Sequence, residues 1–210
     1  MSICRPALLV IGLLFCSSLI SQDGFKLGLR GGLVGSQVAG DGLGGFDKLG
    51  FFLGPSVERE LGNNNSLEIG LQYISKGSLK NINPDKGDFL SYKLNLSYVE
   101  MPILYKFHQE RFIYALGLGP EFLITTKEID NDGIELDSGD QFNSISVALY
   151  IGMDYSFGEK SFMSIRFTNS LTPLRNTIAT GTNQLNFWRR IFNQGQYNTL
   201  IEFGYKRLIG

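Results

Sequence analysis

The sequence predicts an all-β chain, an eight-stranded antiparallel up-and-down transmembrane β-barrel with short periplasmic turns and long extracellular loops. Three observations predict it. Apolar residues recur with a period of two from residue 25 onward, short turns alternate with long loops, and the second face of each segment carries small residues and balanced charges. After residue 22, no segment approaches the roughly 20 apolar residues of a membrane helix.

The N-terminal residues 1–22 have the layout of a secretory signal peptide. Arg5 supplies a positive n-region, an apolar h-region follows, and small residues come after it. Both cysteines, Cys4 and Cys16, lie in this segment, so the barrel domain, residues 23–210, is expected to have no thiol, disulfide or cysteine-ligated metal. A lipidated Cys16 is the weaker alternative, since a bulky phenylalanine precedes it.

Eight later segments alternate in the way that half-buried strands do. They are residues 25–34, 49–59, 67–76, 92–107, 112–121, 144–155, 163–168 and 201–206. In the fourth segment the apolar set changes parity, which predicts a β-bulge near Tyr98 and Val99. A few apolar residues fall on the polar face, and we expect them to fill the interior: Phe52, Ile74, Leu104, Tyr150 and Leu200.

The connections between these segments alternate in length. Short turns are predicted near residues 62–66, 108–110 and 158–160, and long loops near 35–48, 77–91, 126–142 and 170–196. With both termini in the periplasm, all short turns lie there and all long loops lie outside the cell, as in outer-membrane barrels. A soluble sandwich has no reason to follow this rule.

The polar face distinguishes a membrane barrel from a soluble sandwich or lipocalin, which would bury the apolar face instead. It is rich in glycine, alanine and serine, and its charges balance, which suits the crowded interior of a narrow barrel. We therefore expect the apolar face to meet lipid and the charged side chains to form a lumenal network. The candidates are Lys26, Arg30, Glu58, Glu68, Lys76, Glu100, Lys106, Arg111, Glu121, Asp154, Arg166, Glu202 and Lys206.

One strand resembles that of a known family. The stretch Tyr98-Val-Glu-Met-Pro-Ile-Leu-Tyr-Lys-Phe107 resembles a motif of the PorT-like outer-membrane β-barrel family of Bacteroidetes, in which an acidic residue and a proline interrupt an apolar strand. Residues 28–33, 71–77 and 117–120 are similar to its neighbouring patterns. The resemblance implies an outer-membrane barrel and, for the namesake of the family, a part in protein secretion.

Residues suited to catalysis or metal binding are few, so we expect no enzyme and no cofactor. The one histidine, His108, falls in a predicted periplasmic turn, and we expect it to be solvated there. The acidic loop 128–140 departs from a calcium-binding loop at Ile134, which favours a solvated loop over a calcium site. The formal net charge of −1 gives no reason to expect nucleic acid as a partner.

The longest loop carries a cluster of candidate contact residues: Phe187, Trp188, Arg189 and Arg190. The arginines are suited to lipopolysaccharide phosphates and the aromatic residues to a protein partner, while simple anchoring at the membrane interface is the alternative. The leading hypothesis is a structural or partner-binding outer-membrane protein, its partners being outer-membrane lipid, lipopolysaccharide and an envelope or secretion-system protein. The alternatives are a small transporter or pore, a soluble periplasmic lipocalin-like binding protein and, last, a lipid-modifying enzyme.

Overall fold

The computed structural model describes residues 24–39, 45–82, 91–136, 141–175 and 196–209. Within these ranges the chain forms eleven β-strands. They are β1 (Phe25–Ala39), β2 (Lys48–Gly62), β3 (Asn65–Gly70), β4 (Gln72–Lys80), β5 (Tyr92–Glu100), β6 (Ile103–Gln109), β7 (Phe112–Ile129), β8 (Glu135–Leu136), β9 (Ile145–Gly158), β10 (Ser161–Ser170) and β11 (Tyr197–Ile209). Among the described residues, no helix is long and apolar enough to cross a membrane. The predicted signal peptide, residues 1–22, lies outside the described residues.

The strands close into a ring of eight, because β3 with β4 and β5 with β6 each act as one interrupted strand. Every barrel strand pairs antiparallel with the next one along the chain, and β11 pairs with β1. The short β8 pairs only with the end of β7. The eight-stranded up-and-down barrel that the sequence predicts is confirmed.

Prolines account for the two interruptions. Proline has no backbone N–H to donate to the ladder. Pro102 separates β5 from β6, and its carbonyl accepts a hydrogen bond from the amide of Gly70 at 2.9 Å. Pro55 lies opposite the break between β3 and β4, where the amide of Leu71 donates to its carbonyl at 3.0 Å. The barrel wall therefore stays hydrogen-bonded across both breaks.

The register of the strands sets the width of the barrel. Successive paired residues, followed once around the ring, lead from Leu27 to Gln37, ten residues further along β1. For eight strands this stagger implies a tilt of about 40° and a radius of about 8 Å. An interior of that width holds side chains rather than an open channel.

The apolar faces point outward and form a belt around the barrel. On its outward positions the belt comprises residues 25–33, 49–57, 67–73, 99–107, 112–124, 145–157, 163–167 and 201–205. Outward-facing polar residues follow it at the long-loop end: Gln37, Ser75, Ser97, Thr125, Asn169 and Thr199. The inward positions are buried and include the charged side chains. This is the inside-out polarity of a membrane barrel, as the alternation predicts.

The connections alternate in length as the sequence predicts. Three of them are two-residue turns, at residues 63–64, 110–111 and 159–160. The first is formed by Asn63 and Asn64 with φ of 53° and 63°, the left-handed conformation that a tight hairpin of this kind requires. The strand ends that flank the longer connections, residues 40–47, 81–91, 130–144 and 171–196, lie at the other end. We call the two ends the short-turn end and the long-loop end.

A register shift occurs near Tyr98 as predicted, between Ser97 and Tyr98, but the extra residue is not on the predicted strand. Leu94, Leu96 and Tyr98 all point into the barrel, in phase with Glu100, so β5 keeps its parity. The extra residue is Ile124 on β7, which has no partner opposite Ser97 and Tyr98. The apolar pattern changes because the interior itself becomes apolar toward the long-loop end.

Candidate functional site

The barrel interior near the short-turn end contains an ionic cluster, which we call the short-turn cluster. It consists of Glu58, Glu68, Lys106, Asp154, Arg166 and Lys206. Lys106 Nζ lies 2.7 Å from both Glu68 Oε2 and Asp154 Oδ2. Lys206 Nζ lies 2.6 Å from Glu58 Oε2 and 2.5 Å from Glu68 Oε2. Each cation thus joins carboxylates from different strands.

A second group, the central cluster, lies deeper in the barrel and comprises Arg30, Lys76, Glu100, Glu121 and Glu202. Lys76 Nζ lies 2.8 Å from Glu100 Oε1 and 2.6 Å from Glu121 Oε1. Arg30 pairs with Glu202 at 3.4 Å. Gln72 links the two pairs, since it accepts from Arg30 Nη1 at 2.8 Å and donates to Glu100 Oε2 at 3.0 Å.

Two of the sequence-predicted network residues lie elsewhere. Arg111 occupies a two-residue turn, where strand alternation no longer orients the side chain, and it is exposed near the hydroxyl of Tyr155. Lys26 faces inward at the end of β1 but is half-exposed, and it pairs with Glu60 at the rim. The other eleven candidates are buried in the two clusters.

Toward the long-loop end the interior is apolar, and we call this region the apolar plug. It consists of Val34, Val38, Phe52, Ile74, Leu94, Leu96, Tyr98, Phe142, Leu174 and Leu200. The prediction that Phe52, Ile74, Leu104, Tyr150 and Leu200 fill the interior is confirmed. Sequence reasoning missed the plug as a unit. The sequence feature that could have predicted the plug is the set of apolar residues at inward positions, Val34 and Val38 on β1 and Leu94, Leu96 and Tyr98 on β5.

An ion pair lies next to the apolar plug on its long-loop side. Arg175 binds Glu128 in a bidentate manner, with Nη1–Oε2 and Nη2–Oε1 distances of 3.1 and 3.2 Å. Tyr92 donates its hydroxyl to Glu128 Oε1 at 2.6 Å, and Arg175 Nε donates to Gln196 Oε1 at 2.8 Å. The guanidinium also lies 4.7 Å from the ring centroid of Phe142. These contacts join the two ends of the connection 176–195 to the barrel wall.

A closed ring with an apolar exterior and ionic interior is the architecture of an outer-membrane barrel. The profile of the outer membrane protein β-barrel domain matches residues 20–176. The chain belongs to this family. The protein is therefore located in the outer membrane, and the soluble lipocalin-like alternative is wrong because it requires the apolar residues to pack centrally.

The solved structure of one outer-membrane barrel shows the same fold, and that of a second gives a lower TM-score. Neisserial surface protein A (NspA) gives a TM-score of 0.54 at 13% identity, covering 88% of this chain and 99% of that one. Ail, the attachment invasion locus protein of Yersinia pestis, gives a TM-score of 0.49 at 13% identity, covering 90% of this chain and all of that one. No curated protein sequence matches the chain. At these identities the likeness to NspA concerns the fold alone.

His108 is the barrel residue most suited to acid–base chemistry, and its position differs from the predicted solvated turn. It lies on β6, half-buried, with Nε2 2.7 Å from the Oγ of Ser66. Ser66 donates to Glu58 Oε1 at 2.7 Å, and that oxygen is 3.4 Å from the same Nε2. A catalytic triad places the carboxylate on the other ring nitrogen and exposes the serine, whereas Ser66 is fully buried. The arrangement extends the short-turn cluster rather than forming a triad.

The acidic connection after β7 is organised by its own backbone. Asp130 Oδ1 accepts hydrogen bonds from the amides of Asp132 and Ile134 at 3.0 and 2.9 Å. Glu135 pairs with Lys127 at 2.7 Å. In the described parts of the chain, no group of histidine, cysteine or acidic residues is arranged to hold a metal ion. The candidate loop contacts Phe187, Trp188, Arg189 and Arg190 lie outside the described residues.

Proposed function

We propose that this protein is a sealed outer-membrane barrel that presents its long connections to a binding partner and does not transport solutes. The observation that supports this role is the filled interior. Two ionic clusters occupy the short-turn half and the centre, and the apolar plug occupies the long-loop half. A barrel filled in this way serves as a rigid support for what its loops carry.

The interior also argues against the pore alternative. A pore needs a continuous polar path with sites that an ion or solute enters and leaves. Here the charged side chains pair with one another at 2.5–3.9 Å, and beyond them the plug has no exposed surface at Leu94, Leu96 or Leu200. Opening a path would require moving packed side chains on several strands at once.

The partner that fits this role is a protein of an envelope or secretion assembly. The motif around Glu100 and Pro102 supports a PorT-like affiliation within the family and, with it, a source in Bacteroidetes. The secretion role of the PorT-like namesake is not carried over to this chain, and no catalytic role is proposed. Support for a partner at the long-loop end comes from the Arg175–Glu128 ion pair, which fixes the residue before the longest connection to the barrel wall.

A photo-crosslinking experiment in cells tests the proposal. A crosslinking amino acid is placed in the long connections, at positions 86, 139 and 188, and in the short turns, at positions 64 and 159, in otherwise unchanged protein. We expect adducts of one defined size from the long connections only. Adducts from the short turns alone, or none, would contradict a partner at the long-loop end.

Planar-bilayer recording tests the sealed interior separately. We expect no ion conductance from the purified barrel at neutral pH. The positive control is a variant with Leu94, Leu96 and Leu200 changed to glycine, which removes side chains from the plug. Conductance of the unchanged protein comparable to that of this variant would favour the transporter alternative.

A further inference from the structure

Several barrel strands continue beyond the apolar belt at the long-loop end, among them the neighbouring strands β5 and β7. There β5 and β7 expose polar outward side chains, while Leu94, Leu96 and Leu123 point inward to the apolar plug. The outward side chains of β5 and β7 in this region are Lys93, Asn95, Ser97, Thr125 and Lys127. We call these five residues the lysine face.

The register brings the residues of the lysine face together. Ser97 pairs with Thr125, and Asn95 pairs with Lys127. Lys93, two residues before Asn95, is the diagonal neighbour of Lys127 on the same outward face. Diagonal neighbours on one face of a sheet lie about 7–8 Å apart, so both ammonium groups reach one phosphorylated headgroup. The strand alternation keeps them outward, since Leu94 and Leu96 between them are fully buried in the plug.

Positive charge exceeds negative charge at this face. Lys127 has Glu135 as a counter-ion at 2.7 Å, and both side chains are about half-exposed. Within the described residues, Lys93 forms no ion pair with a carboxylate. The lysine face thus carries two cations, of which Lys127 is paired with one carboxylate.

The lysine face adjoins the lipid-covered surface directly. Below it on the same strands lie Val99 and Phe122, both in the apolar belt. The hydroxyl of Tyr73 lies 2.9 Å from Ser97 Oγ and marks the edge of the belt, where tyrosines occur at membrane interfaces. A ligand that covers both surfaces must be an amphiphile with acyl chains and an anionic headgroup.

We propose that the lysine face binds the phosphorylated headgroup of lipid A, the lipid of the outer leaflet, while its acyl chains lie on the belt formed by β5 and β7. Lys93 and Lys127 contact the phosphate oxygens, and Asn95 and Thr125 donate hydrogen bonds to them. A soluble polyanion would meet the lysines equally well but would leave the adjoining belt unused. The site is separate from the partner-binding role of the long connections, and neither depends on the other.

Native mass spectrometry of the full barrel tests this proposal. The protein is released from vesicles of phosphatidylcholine with bisphosphorylated lipid A, or with the same lipid A after removal of both phosphates. We expect the unchanged protein to retain the bisphosphorylated lipid preferentially. The variant with Lys93→Gln and Lys127→Gln should retain it about tenfold less, because each lysine near a charged surface contributes modestly and additively.

A charge-matched control isolates the site. The variant with Arg111→Gln and Lys160→Gln removes two exposed cations at the short-turn end, and we expect it to retain lipid A like the unchanged protein. Equal loss in both variants would show a general charge effect and overturn the proposal. So would equal retention of the two lipid A forms by the unchanged protein. Heat-modifiability on gels shows that each variant is folded, whichever lipid it retains.

Discussion

Arg175 and Glu128 form a bidentate ion pair that connects the base of the longest connection to the end of β7, with side-chain exposures of 15% and 5%. Because Arg175 also contacts Gln196 and the ring of Phe142, one side chain links both ends of residues 176–195 to the apolar plug. The two residues that flank the longest connection are therefore held to the barrel by a mostly buried electrostatic contact.

Removal of this cation is expected to destabilise the long-loop end. Arg175→Met removes the two charge-assisted hydrogen bonds that the guanidinium donates to Glu128, which should cost about 1–3 kcal/mol of unfolding free energy. The measurement is urea unfolding of the barrel in lipid vesicles. The matched control is Lys127→Met, which breaks the exposed pair with Glu135 and should cost about 0–1 kcal/mol. Equal costs in the two variants would contradict a buried role for Arg175.

Lys106 is expected to be among the most sensitive interior cations. It contacts Glu58, Glu68 and Asp154 and is almost fully buried, so Lys106→Met leaves excess buried negative charge. We expect a loss of about 3–5 kcal/mol in the same unfolding assay. Lys26→Met, at the half-exposed pair with Glu60, should cost at most about 1 kcal/mol. A tolerated Lys106→Met would mean that water fills the short-turn half.

Leu149 tests the outward direction of the belt. It lies near the middle of β9 on the lipid-facing side, so Leu149→Arg should cost about 2–4 kcal/mol. Leu61→Arg, beyond the belt at the short-turn end, should cost about 0–1 kcal/mol because the penalty decreases with distance from the bilayer centre. If both substitutions were tolerated equally, the side chain of Leu149 would face water and not lipid.

Ile74 and Ile69 form a matched pair for the apolar plug. Ile74 is fully buried in the plug, whereas Ile69 is 45% exposed on the belt. Ile74→Ala should cost about 2–5 kcal/mol because it leaves a cavity. Lipid fills the space left by Ile69→Ala, so its cost should be about 1 kcal/mol or less. A larger cost for Ile69→Ala would argue that this belt position packs against protein.

Much of the fold could be predicted because strand alternation is local. The parity of Leu27, Leu29 and Arg30 already separates the lipid face from the interior, and the two-residue turns are visible in residues such as Asn63 and Asn64. Element ends were less predictable. Strands β1 and β7 extend well into regions that the sequence assigned to loops, because their outward residues there are small or polar and hide strands that continue beyond the bilayer.

The candidate site was predictable only in part. Inward parity correctly selected eleven of the thirteen charged candidates as buried, and it misplaced Arg111, which lies in a turn, and Lys26, which lies at a strand end. No pattern in the sequence pairs Lys106 with Asp154. That contact arises because the stagger of the closed ring brings distant strands to the same height.

By itself, the sequence determined which side of each strand is apolar, how many strands there are and at which end the turns are short. These properties depend on neighbouring residues and on the period of two. The tertiary structure alone decided which charges meet and where the interior changes from ionic to apolar. Both depend on the height of a residue in the closed barrel relative to the bilayer, and that height is set by the register of all eight strands together.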